Sequence, residues 1–164
     1  MFRRSVTENE LARAHRRFGK LPAGERLFSL AFGRLVPYSG SVRPRIRELG
    51  PGRCVATIED RRALRNHLQS IHAVALTNVA EMTTGLALNY ALPKSARSIM
   101  TRIEIDFLKK ARGRITATSE TAIVTEAPAE RVAHDVPSVL TDAHGDVVAR
   151  AVVRWLVGPA GERK

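Results

Sequence analysis

Asn66, His72 and Glu81 are the residues whose types and spacing could do chemistry. Glu81 stands in the middle of an apolar run, where an unpaired carboxylate is costly. It must meet a partner or carry a shifted pKa. His72 opens that run, where the first backbone N–H groups of a helix have no intrahelical acceptor. Asn66 lies six residues earlier, in a polar connector. Taken singly, each has an ordinary explanation: an ion pair, a cap, a turn. The combination Asn66-x5-His72-x8-Glu81 places an amide, an imidazole and a carboxylate around one helix. A carboxylate there can act as general base or nucleophile, and the N–H groups of Ala73 and Val74 can act as oxyanion donors, helped by the helix dipole.

The elements that must position these residues are legible from periodicity. Ile71–Leu92 is rich in good helix formers, apolar nearly all round and bounded by Pro93, which predicts a buried central helix. Upstream, Thr7-Glu8-Asn9-Glu10 fits a capping box with Thr7 as N-cap, and Leu11, Ala14 and Phe18 then share a face before Gly19. Pro22 can open a second helix carrying Leu27, Phe28, Leu30, Ala31 and Leu35, with Pro37 and Gly40 as its stop. This basic amphipathic segment is expected to pack on its own domain. Ser41–Leu49 and Cys54–Glu59 flank Gly50-Pro51-Gly52 and read as a hairpin. Beyond Pro93 the period becomes two: Ile99–Phe107, Ile115–Ile123, Val132–Leu140 and Val147–Val157 read as strands, with Pro137 marking an edge or bulge. Antiparallel strands gathered round one long helix predict an α+β fold.

Composition narrows the class. The chain has 164 residues, 44% hydrophobic and 26% charged, the profile of one globular domain. One cysteine, Cys54, excludes a disulfide framework and a Cys-rich zinc site, and it reads as core. No apolar run is long enough to cross a membrane, and charged Glu8, Glu10, Arg13, Arg16 and Arg17 stand where a secretory signal would be apolar, so a cytoplasmic protein is expected. The net charge of +11 is concentrated in residues 1–70. Basicity of this kind suits a polyanion, but 5% aromatic content argues against base stacking and hence nucleic acid. There is no Gly-x-Ser-x-Gly elbow, Walker loop or dinucleotide fingerprint, and no metal site is expected, since His67 and His72 are not at the four-residue spacing of one helix face.

The segment from Arg65-Asn66-His67-Leu68-Gln69-Ser70-Ile71-His72-Ala73-Val74-Ala75-Leu76 to Ala80-Glu81 and Gly85 resembles the signature of the hotdog-fold thioesterases. More narrowly it resembles the group containing the phenylacetate-pathway acyl-CoA thioesterase. Leu108-Lys109-Lys110-Ala111-Arg112-Gly113 resembles the strand end that follows the helix in an uncharacterised hotdog subgroup. The likeness covers about residues 41–157 and departs from the family at Ala73, where Gly is usual; the methyl would crowd a thioester. It implies a curved antiparallel sheet wrapped round the helix and hydrolysis of acyl-CoA to free acid and CoA. Glu81, Asn66, His72 and the Ala73 N–H are then the catalytic set, and Val74, Thr84, Lys109, Lys110 and Arg112 contact substrate. No cofactor is implied beyond the coenzyme A of the substrate. The corresponding organisation is a helical extension over residues 1–40, the hotdog domain over 41–158 and a disordered tail over 159–164.

Helix geometry adds a constraint. Nine residues span about 2.5 turns and rise about 13.5 Å, so His72 and Glu81 face opposite sides of one helix. A site using both needs a second copy of the helix, antiparallel to the first, and two-fold symmetry then makes two composite sites. A homodimer is therefore expected, as the resemblance also implies, with further assembly into a tetramer. Lys109, Lys110, Arg112 and Arg114 form one candidate cluster for the CoA phosphates, and Arg61, Arg62 and Arg65 a second. Two other readings stay open: a non-catalytic acyl-CoA-binding or sensing protein, and a dehydratase or hydratase on the same fold, whose Gly-His-Phe-Pro-like loop Gln69-Ser70-Ile71-His72-Ala73 does not resemble.

Overall fold

In the computed structural model, residues 9–160 are described. Helices α1 (Glu10–Gly19), α2 (Gly24–Leu35) and α3 (Pro37–Ser41) precede strands β1 (Arg45–Gly50) and β2 (Arg53–Ile58). Helix α4 (Ala73–Asn89) follows, then β3 (Ala96–Phe107), β4 (Ile115–Glu120), β5 (Val132–Thr141) and β6 (Val147–Pro159). The strands form one antiparallel sheet in the order β1-β2-β4-β5-β6-β3. The architecture is α+β, and α4 touches all six strands.

Helix α4 starts where His72 is extended and caps it, and it ends before Pro93. Twelve of its 17 residues are buried, so packing holds it, not an amphipathic stripe. Two contacts set its height over the sheet. At Gly85 a Cβ would lie 2.9 Å from the Trp155 ring, so only glycine lets β6 approach this closely. The Trp155 indole N–H donates to Thr84 Oγ1 at 3.2 Å. At the preceding residue, Thr83 Oγ1 sits in a buried hydroxyl cluster, 2.8 Å from Ser119 Oγ on β4 and 3.1 Å from Ser138 Oγ on β5. These hydroxyls are buried and paired with one another, which makes their register specific.

The N-terminal helices pack on this core through Ala12 and Phe28, with Leu11, Ala14 and Phe18 against it. Thr7 lies outside the described residues. The N-cap is Asn9, whose Oδ1 accepts from Ala12 N at 3.0 Å, in place of the expected Thr7. The same side chain reaches the far end of α4: Nδ2 donates to Asn89 O at 2.5 Å and Leu92 O at 2.8 Å. One amide thus closes two helix ends.

Pro37 does not simply stop the second helix. It opens the short α3, because its fixed φ and missing N–H suit a first helical turn. The strand expected over Ile115–Ile123 ends at Glu120, where Thr121 N turns back to Gly52 O at 2.8 Å. Pro137 lies on β5, an interior strand, but pairing with β4 ends at Ser138, so β6 is its sole strand neighbour. The last strand continues to Pro159, and Ala160 N donates to Ser95 O at 2.7 Å; residues 161–164 of the expected tail lie outside the described residues.

The two edges differ. Along β1, α2 packs against the edge, and Ser29 Oγ accepts the Ile46 N–H at 2.9 Å. The β3 edge has no such cover among the described residues. Ile99 is 59% exposed and Phe107 47%, although both were read from sequence as the apolar side of an alternating strand.

Candidate functional site

The connector before α4 is a built loop. Asn66 Oδ1 accepts from Leu68 N at 2.9 Å, Ser70 N at 3.3 Å and Ser70 Oγ at 3.2 Å, an Asx-type turn. Asn66 N donates to Ser70 O at 2.9 Å, and Gln69 takes a positive φ of 55° to close the turn. Two backbone bonds dock the loop: Ile71 N to Ala111 O at 2.8 Å and His72 N to Leu64 O at 2.7 Å. The Asn66 acceptor is therefore spent on the loop. Its Nδ2 has no partner among the described residues and is the group left to donate.

His72 Nδ1 accepts from Val74 N at 3.1 Å. With Nδ1 accepting, the neutral imidazole carries its proton on Nε2. The bond also corrects one expectation: the Val74 N–H is occupied by the cap and is not a free oxyanion donor. The Ala73 N–H, by contrast, has no acceptor among the described residues, and the half-buried Ala73 lines a groove of about 290 Å³. Asn66, Ser70, Leu76, Leu108 and Lys110 share that groove with it.

The basic residues separate into bound and available. Lys109 Nζ is held by Asp142 at 2.8 Å and by Asp146 at 2.5 Å, across the β5–β6 turn. Arg114 pairs with Glu59 and Arg65 with Asp60, each at 2.7–2.8 Å. Lys109, expected at substrate, is thus tied to its own chain. Lys110 is exposed beside the groove without a partner among the described residues, and Arg112 is exposed with one long bond to Gln69 O at 3.4 Å. Thr84 is corrected as well. It has no exposed surface, and its hydroxyl donates to Glu81 O at 2.8 Å while accepting from Trp155. It holds β6 against α4.

Glu81 is half-buried, and burial pushes its carboxyl above the ordinary glutamate value of 4.5. Its carboxylate meets no donor among the described residues. It shares a stripe of α4 with Val74 and Thr77, and Val74 is 52% exposed. It lines neither the groove of Asn66 and Ala73 nor the recess beside His72. The structure thus brings Asn66, Ala73 and Lys110 together and leaves Glu81 apart from them within one chain. Cys54 is fully buried, its thiol pushed up to about 12 by burial. No group of three or more His, Cys, Asp or Glu among the described residues could hold a metal ion, and no described helix is long and apolar enough to cross a membrane.

One residue escaped the sequence reading. Asn78 is 8% exposed and its Oδ1 is enclosed without a partner. The available signal was a lone amide, a poor helix former, between Thr77 and Val79 of an apolar run.

A family model described as a domain of unknown function, DUF4442, matches residues 24–157. The chain belongs to the DUF4442 family. No curated protein matches its sequence. Among solved structures this DUF4442 chain is similar to the structural-genomics protein APC5556, at 28% identity and a TM-score of 0.78, over 93% of this chain and all of that one. It is similar to a probable thioesterase of Pseudomonas aeruginosa at 21% identity and a TM-score of 0.70, over 85% and 97% of the two chains. A thioesterase of Haemophilus influenzae is similar at 13% identity and a TM-score of 0.68, over 80% and 91%. These likenesses show a shared fold, an α+β arrangement of the hotdog kind.

Proposed function

We propose that this DUF4442 protein is an acyl-CoA thioesterase whose sites are shared between two chains. The observation that carries the reading is Glu81, a half-buried carboxylate of raised pKa that meets no donor among the described residues on a helix whose Ala73 N–H is free. A second copy of α4, antiparallel beside the first, brings Glu81 of one chain to the Asn66–Ala73 groove of the other. The stripe of Val74, Thr77 and Glu81 is the face such a helix would cover, and the uncovered β3 edge with Ile99 and Phe107 gives the sheet somewhere to continue. The long helix is then the centre around which the hotdog sheet curves, and dimers of this kind can pair again into a tetramer.

The likeness to thioesterases supports the chemistry. Two solved mutants of a Staphylococcus aureus protein, one named a thioesterase, replace a glutamine and a glutamate fifteen positions apart. Asn66 and Glu81 are separated by the same interval.

In the proposed reaction the Ala73 N–H donates to the thioester carbonyl oxygen, and the Asn66 Nδ2 holds the attacking water. Glu81 takes a proton as the water oxygen bonds to the carbonyl carbon. The C–S bond then breaks, the sulfur leaves with its electron pair, and it takes the proton from Glu81 to become the free CoA thiol. Alternatively Glu81 attacks directly, and water resolves the anhydride. His72 holds the loop, and Lys110 with Arg112 meets the CoA phosphates. Incubating the pure protein with a panel of acyl-CoAs and following free thiol tests the reading. Thiol release lost in Glu81→Gln supports it, and no release from any member of the panel sinks it.

A further inference from the structure

A recess of about 200 Å³ opens beside the first two turns of α4, on the His72 side. Its walls are mixed: Val42, Leu64 and Ala75 are buried, Val74 lies at the helix start, Tyr38 stands exposed at the rim, and Ser41, Arg65 and His72 add polar groups. Asn78 is the one side-chain amide in the lining. More than nine-tenths of it is buried, and its Oδ1 has no hydrogen-bond partner. An enclosed acceptor left unpaired is costly, and its α4 neighbours Ala75, Val79 and Met82 are buried and apolar.

We infer that Asn78 is a specificity-determining residue that selects short acyl groups bearing a hydroxyl. The inference rests on the thioesterase reading: Ala73 lines the groove and the next residue, Val74, lines the recess, which puts the recess one residue along α4 from the N–H that would meet the acyl carbonyl. The volume sets the size, since it falls below the roughly 300–1,000 Å³ of sites for larger ligands. The amide sets the chemistry. A hydroxyl both donates and accepts, so it pairs with either orientation of the Asn78 amide. A plain acyl chain leaves that amide unpaired, and a site built for a hydroxyl discriminates most strongly against the analogue lacking it.

The test compares CoA thioesters of up to about six carbons, in pairs with and without a hydroxyl, the hydroxyl placed at successive carbons. For at least one position kcat/KM should favour the hydroxylated ester by about tenfold or more. Asn78→Leu should bring that ratio to about one, chiefly by improving the plain ester, and Asn78→Ser should give an intermediate ratio. Equal rates at every position in the wild type, or an unchanged ratio in Asn78→Leu, would overturn the inference. Calorimetric binding of the corresponding non-hydrolysable CoA thioethers separates it from the reading beneath it. Binding that depends on the hydroxyl and on Asn78, without any thiol release, means that the thioesterase reading fails and the selectivity stands. Binding indifferent to the hydroxyl, or no binding, means that the selectivity fails.

Discussion

His72 Nδ1 accepts the N–H of Val74 at 3.1 Å, so the histidine that opens α4 also closes its N-terminus. This bond occupies one of two donors that could have served an oxyanion and leaves the Ala73 N–H as the other. His72→Ala should lower stability by about 1 kcal/mol, as loss of a side-chain N-cap does. His72→Asn should retain most of it. Urea midpoints at constant slope measure both. Turnover that follows the cap, kept in Asn and reduced in Ala, marks His72 as a positioning residue. Loss of turnover in both gives the imidazole a direct part.

Glu81 carries a stability cost with a definite sign. Its folded pKa lies above the unfolded value, so between the two the native state holds more protons. Stability therefore falls as pH rises above 4.5 and through the folded pKa, and the penalty is complete above it. Glu81→Gln should raise the melting temperature at pH 7 and flatten this part of the pH profile, while lowering kcat far more than it raises KM. A variant that is less stable at pH 7 would mean that the carboxylate is paired in solution.

Gly85 and Trp155 make a steric prediction. Gly85→Ala improves helix propensity by about 1 kcal/mol, but its Cβ would lie 2.9 Å from two ring carbons. Overpacking of this kind costs about 1–3 kcal/mol, so the net change should be destabilising. Trp155→Phe in the Gly85→Ala background should recover part of the loss, because a smaller ring makes room. A Gly85→Ala protein more stable than wild type would show that the ring shifts freely.

Lys109 and Lys110 are adjacent but should behave oppositely. Both line the groove, but Lys109 is held by Asp142 and Asp146, while Lys110 has no partner among the described residues. Lys110→Ala or Arg112→Ala should raise KM for an acyl-CoA several-fold, with the difference shrinking as salt is raised. A short thioester without the nucleotide should be unaffected. Lys109→Ala should leave KM unchanged. A rise in KM for Lys109→Ala that matches Lys110→Ala would mean that the ion pairs give way to phosphate.

The shared site predicts complementation. Asn66→Ala and Glu81→Gln chains, each inactive alone, are unfolded together and refolded. Half of the dimers should be mixed, and each of these has one intact site. Thiol release should return to roughly a quarter of the wild-type level, by the two-fold symmetry of the assembly. No recovery, with mixed dimers verified by mass, would place a complete site in each chain.

The sequence by itself determined what depends on near neighbours. The α4 segment follows from its helix formers and Pro93, the β1–β2 hairpin from Gly50-Pro51-Gly52, and the later strands from their two-residue period. The opposite facing of His72 and Glu81 follows from helical pitch alone, whereas Asn66 lies in the loop before the helix and its place beside Ala73 depends on how that loop docks. Tertiary structure decided whatever depends on a partner distant in the chain. Lys109 is bound because β6 returns Asp142 and Asp146 beside it, and Thr84 is a packing residue because Trp155 arrives 71 positions later. Asn9 could not be recognised as a cap for two helices, since its second set of acceptors begins at Asn89. The unpartnered state of Asn78 is likewise invisible to periodicity. A buried amide and a satisfied amide read the same in sequence, and only the walls that α3 and the Leu64 turn bring to α4 tell them apart.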